Sequence, residues 1–304
     1  MTDKLKITGL TLTDALKSVG LSKSSYYYKP KTQRPRALDP RLSAELEKLT
    51  GYELTYGYRK VTEYFKRYNH KKVLRHMQRL KMTQPRKIKG VRFTVLPYTP
   101  PTKSNERWEV DLTYVPFGLK ECAALFAIVD CFDKEVIGDN FSRFFTANES
   151  RVALDKAVFS RFPIGVPKEL QLVVRVDRCS QFIAKIFKEA AKLSRLNIQF
   201  YGIQCPNDKP YIESFVSKYK TEEVYRNCYE TYDVAKNAWL SYKFWYNNRR
   251  LHQSIGYQTP SRFARLSGAY ANLSLPMNVT VKNTCPTGLV RRVCKNSCSL
   301  HTKF

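Results

Sequence analysis

Three carboxylates, Asp111, Asp177 and Glu213, stand in contexts that suit a metal ligand. Asp111 lies inside the apolar run Arg107-Trp-Glu-Val-Asp-Leu-Thr-Tyr-Val115, and Asp177 ends the run Leu172-Val-Val-Arg-Val-Asp177. Glu213 stands in the helix-like stretch Pro210-Tyr-Ile-Glu-Ser-Phe-Val216. Thirty-five residues separate Asp177 from Glu213, and Asp111 lies 66 positions before Asp177. Carboxylates on buried strands cost free energy unless something positive pairs them. Three converging acids are most simply explained by divalent metal as their counterion. Mg²⁺ takes one or two carboxylates plus water and phosphate oxygens, and a metal pair about 3.5–4 Å apart clamps an in-line phosphoryl displacement.

The elements that must position these acids follow from periodicity. Strand-like runs at 107–115, 123–132 and 135–143 succeed one another as hairpins, with turns at Phe117-Gly118 and Asp133-Lys134. A helix follows from about 148 to 162, then a strand at 171–177, a helix at 182–195, a strand at 197–203 and a helix from about 209. The order βββαβαβα sets a meander beside parallel αβ units, and neighbouring first and fourth strands bring Asp111 beside Asp177. The helix carrying Glu213 then closes over the sheet edge. Rival acids have other readings. Asp133 begins a turn, a structural use of Asp; Asp130 is a candidate to support the site from the second strand. Glu109 shares strand parity with Asp111. Glu222 and Glu223 lie beyond Glu213 without matching its spacing. Residues 229–266 read as helical and aromatic, ending in a polar turn at Asn247–Pro260 that Asn247 and Asn248 shape.

Ahead of this core the chain is helical and basic. Leu12, Ala15, Leu16 and Val19 follow helical spacing, Gly20 ends that helix, and Ser22 caps a second short one that stops before Pro30. Helix, short turn, helix is a helix-turn-helix outline whose second helix, with Lys23 and Ser24, can enter a major groove. Val61, Tyr64 and Phe65, then Val73, Leu74, Met77 and Leu80, mark two further amphipathic helices broken near Asn69. From Gly57 to Arg92 there are 13 Lys or Arg and a single acid, Glu63. Repulsion on that scale needs phosphates opposite it, which makes Lys71, Lys72 and Arg75 candidate DNA contacts. The whole chain of 304 residues carries 53 Lys and Arg against 26 Asp and Glu, a net +27. Such an excess points to a polyanion, because each neutralised phosphate releases counterions. A membrane is excluded as partner, since no apolar run approaches the roughly 18–20 residues of a spanning helix. The start of the chain lacks a signal-peptide core, so a cytoplasmic, nucleoid-associated location is expected and the eight cysteines read as reduced thiols.

Seven segments in order resemble the insertion-sequence transposases of the OrfB type, whose catalytic core is similar to retroviral integrases. They are Leu21–Tyr28, Tyr56–Lys60, His70–Arg75, Trp108–Tyr114, Asp177–Phe182, Ile212–Phe215 with Lys220, and Tyr246–His252 through Thr259-Pro260. The resemblance covers about residues 10–265. It implies an α/β fold, a ribonuclease-H-like mixed-sheet core preceded by all-α helix-turn-helix DNA-binding units. It implies that Asp111, Asp177 and Glu213 are the catalytic ligands of two Mg²⁺ or Mn²⁺ ions. Those ions activate water to nick donor DNA, then the freed 3′-hydroxyl to attack another phosphodiester. Lys220, two helical turns after Glu213, matches a position that touches the DNA end. The expected partners are double-stranded DNA at element ends and target, further copies of the chain in a synaptic complex, and an upstream OrfA product.

The expected domains are 1–45 (helix-turn-helix and linker), 46–95 (second basic helical unit), 96–268 (integrase-like core with helical extension) and 269–304 (tail). Arg249, Arg250 and His252 either bind phosphate or cap the helix before them. Cys285, Cys294, Cys298 and His301 have ligand types for zinc but spacings that fit no tight knuckle. Three departures bear on activity, one of them Arg175-Val176 where the family often has His-Ser before the second acid. Cys179 stands where the family usually has Gly, and a positive φ there would strain it by ~1–2 kcal/mol. Asp208-Lys209-Pro210 replaces the frequent Asp-Asn-Ala, and proline suits a first helical turn. A catalytically decayed copy that only binds DNA is the alternative, with a ribonuclease-H-like nuclease behind it.

Overall fold

The computed structural model describes residues 11–29, 37–83, 99–200 and 210–270. The tail with Cys285, Cys294, Cys298 and His301 lies outside them, as do the 84–98 linker and Asp208-Lys209. The chain divides into two compact units, residues 1–46 and 47–304.

In the first unit, α1 (Leu12–Ser18) is capped by the Thr11 hydroxyl, which accepts the Asp14 amide at 3.3 Å. Ala15 and Leu16 are buried, and Gly20 takes the positive φ of 64° that ends the helix. A single turn, α2 (Lys23–Tyr26), follows with Ser22 accepting the Ser25 amide at 3.1 Å. Both caps are the residue types that satisfy orphan amides. Lys23 and Ser24 are exposed. The helix α3 (Pro40–Glu47) runs to the end of this unit.

The second unit opens with a 3-10 turn, Gly51–Thr55, then α4 (Tyr58–Phe65) and α5 (His70–Arg79). Asn69 breaks the pair as its pattern predicts, its side chain accepting the Lys71 amide at 2.9 Å. Val61, Val73 and Met77 are buried, whereas Tyr64 stays 51% exposed and leaves the expected apolar face. These helices belong to the same compact unit as the sheet. Tyr52 packs on Trp245 at 4.6 Å and on Tyr242 at 5.4 Å, and the Trp245 indole donates to Glu53 at 3.2 Å.

The sheet has five strands in the order β3-β2-β1-β4-β5: β1 (Arg107–Phe117), β2 (Glu121–Asp130), β3 (Val136–Ser142), β4 (Val173–Val176) and β5 (Asn197–Phe200). The first three form an antiparallel meander; β4 runs parallel to β1 and β5 parallel to β4. With α6 (Ala147–Arg161), α7 (Ser180–Ile183), α8 (Lys185–Leu193) and α9 (Pro210–Glu222), the order is the predicted one. Because side chains alternate along a strand, residue parity decides the face. Trp108, Val110, Ala124, Phe126, Ile128, Val174 and Val176 join Ala153, Leu154, Phe187 and Ala191 in one core, so the even face meets α6 and α8. Gly138 permits that approach: a Cβ there would lie 2.5 Å from both the Ala153 carbonyl and the Ala157 side chain.

The odd face meets a second, aromatic layer. Phe215 and Tyr219 of α9 stack edge-on with Trp239 of α10 (Tyr232–Asn248) at 6.1 and 5.0 Å. Trp239 donates to Asp139 of β3 at 2.7 Å, and Asn247 both accepts from and donates to the Val136 backbone at 3.0 Å. A last helix, α11 (Pro260–Leu266), completes the unit. Among the described residues no helix is long and apolar enough to cross a membrane.

Candidate active site

Asp111 and Asp177 are brought level by strand pairing. The parallel register sets Arg107 opposite Val173 and Glu109 opposite Arg175. Carried two residues further, it sets Asp111 opposite Asp177, the residue that follows β4. Both are half-buried and on the odd face; Asp177 follows the carboxyl end of β4, and Asp111 lies midway along β1, just past its last pairing with β4. Open α/β sheets place their ligand crevices at such carboxyl ends. The Cys179 amide donates to Asp177 Oδ1 at 3.0 Å, so the chain turns back over the carboxylate it has just passed. Cys179 itself has φ −69° and ψ 156°, ordinary extended backbone. The strain expected from cysteine in place of glycine therefore does not arise. Burial and a hydrogen bond to Asp177 push its thiol up to about 12, which keeps it neutral.

Glu213 is exposed in the first turn of α9. What holds that turn is Glu109, fully buried on β1. Its Oε2 accepts the backbone amides of Tyr211 at 3.0 Å and Ile212 at 2.8 Å. Pro210 has no amide to offer, so these are the first two donors of the helix, and such orphan donors need an acceptor from elsewhere. Glu109 and Asp111 share a face, and successive same-face residues on a strand are about 7 Å apart. Sequence parity flagged Glu109 only as a rival of Asp111; its partners lie 102 and 103 positions away, beyond any local pattern.

Among the described residues no group of three or more His, Cys, Asp or Glu side chains stands arranged to hold a metal ion. The strands bring two of the acids together, and Glu213 is on the helix anchored beside them without closing the set. The candidate donors from the sequence, Asp111, Asp177 and Glu213, are all carboxylates, two half-buried and one exposed. That is the hard-oxygen set that Mg²⁺ or Mn²⁺ prefers.

The rival acids have structural partners. Asp130 pairs with Trp108, on the face opposite Asp111, and accepts the amides of Asn105 at 2.7 Å and Phe132 at 2.8 Å. A supporting role for it at the site is thereby corrected. Asp133 and Glu135 accept from the buried Arg161 guanidinium at 2.9 Å. Glu222 is the partner of Arg250, at 2.6 and 2.9 Å, and also accepts from Tyr242 at 2.9 Å. Glu223 accepts from Tyr229 at 3.0 Å.

Two expected DNA contacts are corrected by the same network. Arg250 is 2% and His252 7% exposed, so neither reaches a phosphate. A buried guanidinium is tolerable only when paired, and the Arg250 fork spends itself on Glu222 while His252 Nε2 lies 3.1 Å from its Nη1. Together they staple the end of α9 to the turn after α10. Burial pushes Glu222 up, but the hydrogen bonds and charge of Arg250 outweigh it and hold the carboxyl below the ordinary range. Burial, then the charges of Arg250, Lys60, Lys218 and Lys134, hold His252 well below its usual value, so the ring is neutral. Arg249 is exposed, its guanidinium 6.0 Å from the Phe244 ring. Lys71 is exposed, while Lys72, Arg75 and Lys220 are half-buried.

Comparison with known proteins finds an integrase core in this chain. Two family models, each described as an integrase core domain, match residues 101–204 and 194–260. An uncharacterized 31.7 kDa protein of insertion element IS407 from Burkholderia multivorans is 27% identical over 268 residues, covering 85% of this chain and 92% of that protein. A probable transposase for insertion element IS1353 from Shigella flexneri is 26% identical over 292 residues, covering 88% of this chain and 54% of that protein. Among solved structures, the HTLV-2 integrase catalytic core domain in complex with magnesium is 15% identical, with a TM-score of 0.38, covering 53% of this chain and 97% of that one. An integrase core domain over residues 101–260, with insertion-sequence relatives extending across the helical region ahead of it, is the polynucleotidyl transferase core of the kind that insertion-sequence transposases carry.

Proposed function

We propose that this transposase nicks the ends of its own insertion sequence and joins the freed 3′-hydroxyls to target DNA, with Asp111, Asp177 and Glu213 as the ligands of two Mg²⁺ or Mn²⁺ ions. The observation that carries the reading is the parallel β1–β4 pairing, whose register, continued two residues past Glu109–Arg175, sets Asp111 level with Asp177. The first turn of α9 is tied to β1 two residues away. Bound there, the metals would supply Lewis-acid activation of the attacking oxygen and stabilise the leaving one. The protein contributes three anionic ligands, a rigid strand pair to space two of them, and a basic surface to hold the polyanion. Cys179 sits without strain, which removes the backbone objection to activity that its replacement of glycine raised.

DNA contacts divide by role. Lys23 and Ser24 on the exposed face of α2 would read element ends as the second helix of a helix-turn-helix. Lys71, Lys72 and Arg75 on α5 would hold backbone phosphates, as would Arg249, and Lys220 would touch the DNA end. The domain scheme that fits these roles keeps an end-reading unit at 1–45, a basic helical segment at 46–95, the core at 96–268 and an element-specific tail at 269–304. Two element ends and a target must be held at once, so the working form is a homo-oligomer on duplex DNA at the nucleoid, accompanied by an upstream OrfA product.

Replacing Asp111, Asp177 or Glu213 singly with Ala tests the reading. Cleavage and joining should disappear in Mg²⁺ while end binding stays near wild type, because metal ligands act on DNA already held by basic surface. Near-normal joining by any one mutant removes that residue from the ligand set.

A further inference from the structure

Strand pairing leaves a second polar row directly below the acidic one. Glu109 on β1 stands opposite Arg175 on β4, which stands opposite Gln199 on β5, and Arg175 Nε donates to Gln199 at 2.8 Å. Within this row Glu109 is the fully buried member. Its side chain lies among backbone and sulfur rather than in solvent, with the Cys131 thiol beside it and the Tyr211 and Ile212 amides on Oε2. Burial pushes its carboxyl up, and the Ile212 amide, the Cys131 thiol, the Tyr211 amide and Arg175 pull the other way.

A buried carboxylate is a costly way to fill a strand position that an aliphatic residue would fill freely. Its return is geometric. Pro210 opens α9 without an amide, and the next two donors, Tyr211 and Ile212, both go to Glu109. The acceptor therefore comes from β1, and it comes from the residue two places before Asp111 on the same face. The carboxylate also complements the positive end of the helix. One β1 segment thus carries one acid of the site directly and grips the helix that carries another.

We propose that Glu109 is a positioning residue of the transfer reaction, fixing the height and pitch of Glu213 over the Asp111–Asp177 pair through the first two amides of α9. The inference rests on Glu213 as third ligand, and it assigns Glu109 no contact with metal or DNA. Residues that orient a ligand commonly change metal affinity or activity by roughly 10- to 100-fold when removed.

The test uses the full chain with Glu109→Val, Glu109→Gln and Glu213→Gln, read by joining rate against Mg²⁺ concentration, by end-binding affinity, and by hydrogen exchange across residues 210–216. Glu109→Val should speed exchange of the Tyr211 and Ile212 amides, raise the Mg²⁺ needed for half-maximal joining by roughly tenfold or more, and leave end binding unchanged. Glu109→Gln keeps an oxygen acceptor and should restore slow exchange and most of the joining. Where the valine variant fails to fold, Glu109→Asp, which withdraws the carboxylate by one methylene, should show the same fast exchange and raised Mg²⁺ requirement. If Glu213→Gln abolishes joining while the Val or Asp variant keeps wild-type Mg²⁺ dependence or slow amides, the clamp is overturned and the triad stands. If Glu213→Gln joins normally, the triad reading fails first and this inference with it.

Discussion

At the scale of single residues, two neighbouring arginines separate structure from DNA contact. Arg250 is buried against Glu222, and Arg249, one position earlier, is exposed. Removing one partner of a buried pair leaves an uncompensated charge and costs about 3–5 kcal/mol. Arg250→Ala should therefore unfold at markedly lower denaturant, by equilibrium urea titration. Arg249→Ala should keep stability within about 0.5 kcal/mol, as surface changes do, and weaken DNA binding instead. His252 adds a pH signature. Its folded pKa lies well below the ordinary 6.5 of the unfolded chain. Its contribution is therefore complete above pH 6.5 and is lost as pH falls below that value, because only the unfolded chain takes up the proton. In urea titrations between pH 6.5 and 5, His252→Gln should show a shallower fall in stability than wild type, by at most about 1.4 kcal/mol per pH unit. Equal slopes would mean the buried ring is protonated in the folded protein.

Elements carry the DNA predictions, since a helix presents several cations at once. If about six of the 13 cations between 57 and 92 meet phosphates, log K should fall with log salt at a slope near −5, from roughly −0.9 per contact. Exchanging Lys71 and Lys72 for Gln should flatten that slope by up to about 1.8 and lower affinity for all sequences alike. Lys23 and Ser24 lie on a single exposed turn beside the Ser22 cap, where base contact is the proposed role. Their replacement should reduce discrimination between element ends and random DNA more than it changes the slope. Fluorescence anisotropy across a salt series measures both quantities. A wild-type slope near −1, or unchanged discrimination in the Lys23 and Ser24 variants, would reverse the two assignments.

For the whole molecule, the informative boundary is the one between residues 46 and 47. The linker composition at 83–105 suggests cutting after 95, but Tyr52 and Tyr56 belong to the aromatic layer around Trp245 and Tyr242. Tyr56 also accepts the Leu251 amide at 3.2 Å in the turn that holds Arg250. Deleting 1–46 should leave the melting temperature of the core unchanged while abolishing end selectivity. Deleting 1–95 should lower it by more than about 5 °C, since each buried aromatic contributes about 1.5–3 kcal/mol and a domain this size shifts about 2–4 °C per kcal/mol. Equal melting of the two truncations, by scanning calorimetry, would show that the 47–83 helices do not stabilise the sheet.

The sequence alone determined what depends on neighbours in the chain. The strand and helix order followed from periodicity, the Ser22 cap and the break near Asn69 from residue type, and the polyanion partner from a net charge of +27. The spacing of Asp111, Asp177 and Glu213, with the seven segments around them, was enough to suggest the family that the comparisons then supplied. Tertiary structure decided everything that required a partner far along the chain. Whether Asp111 stands level with Asp177 depends on the β1–β4 register, and a slip of one residue would turn one of them to the other face. Arg250 and His252 read as phosphate binders or helix caps until Glu222, 28 positions before Arg250, pairs with that guanidinium in the interior and His252 packs beside it. Glu109 reads as a spare acid until the amides of α9 arrive, 102 and 103 positions later. A polar side chain's type states what it can bond; its burial and its partner, which only the fold supplies, decide whether it holds the structure or meets the substrate.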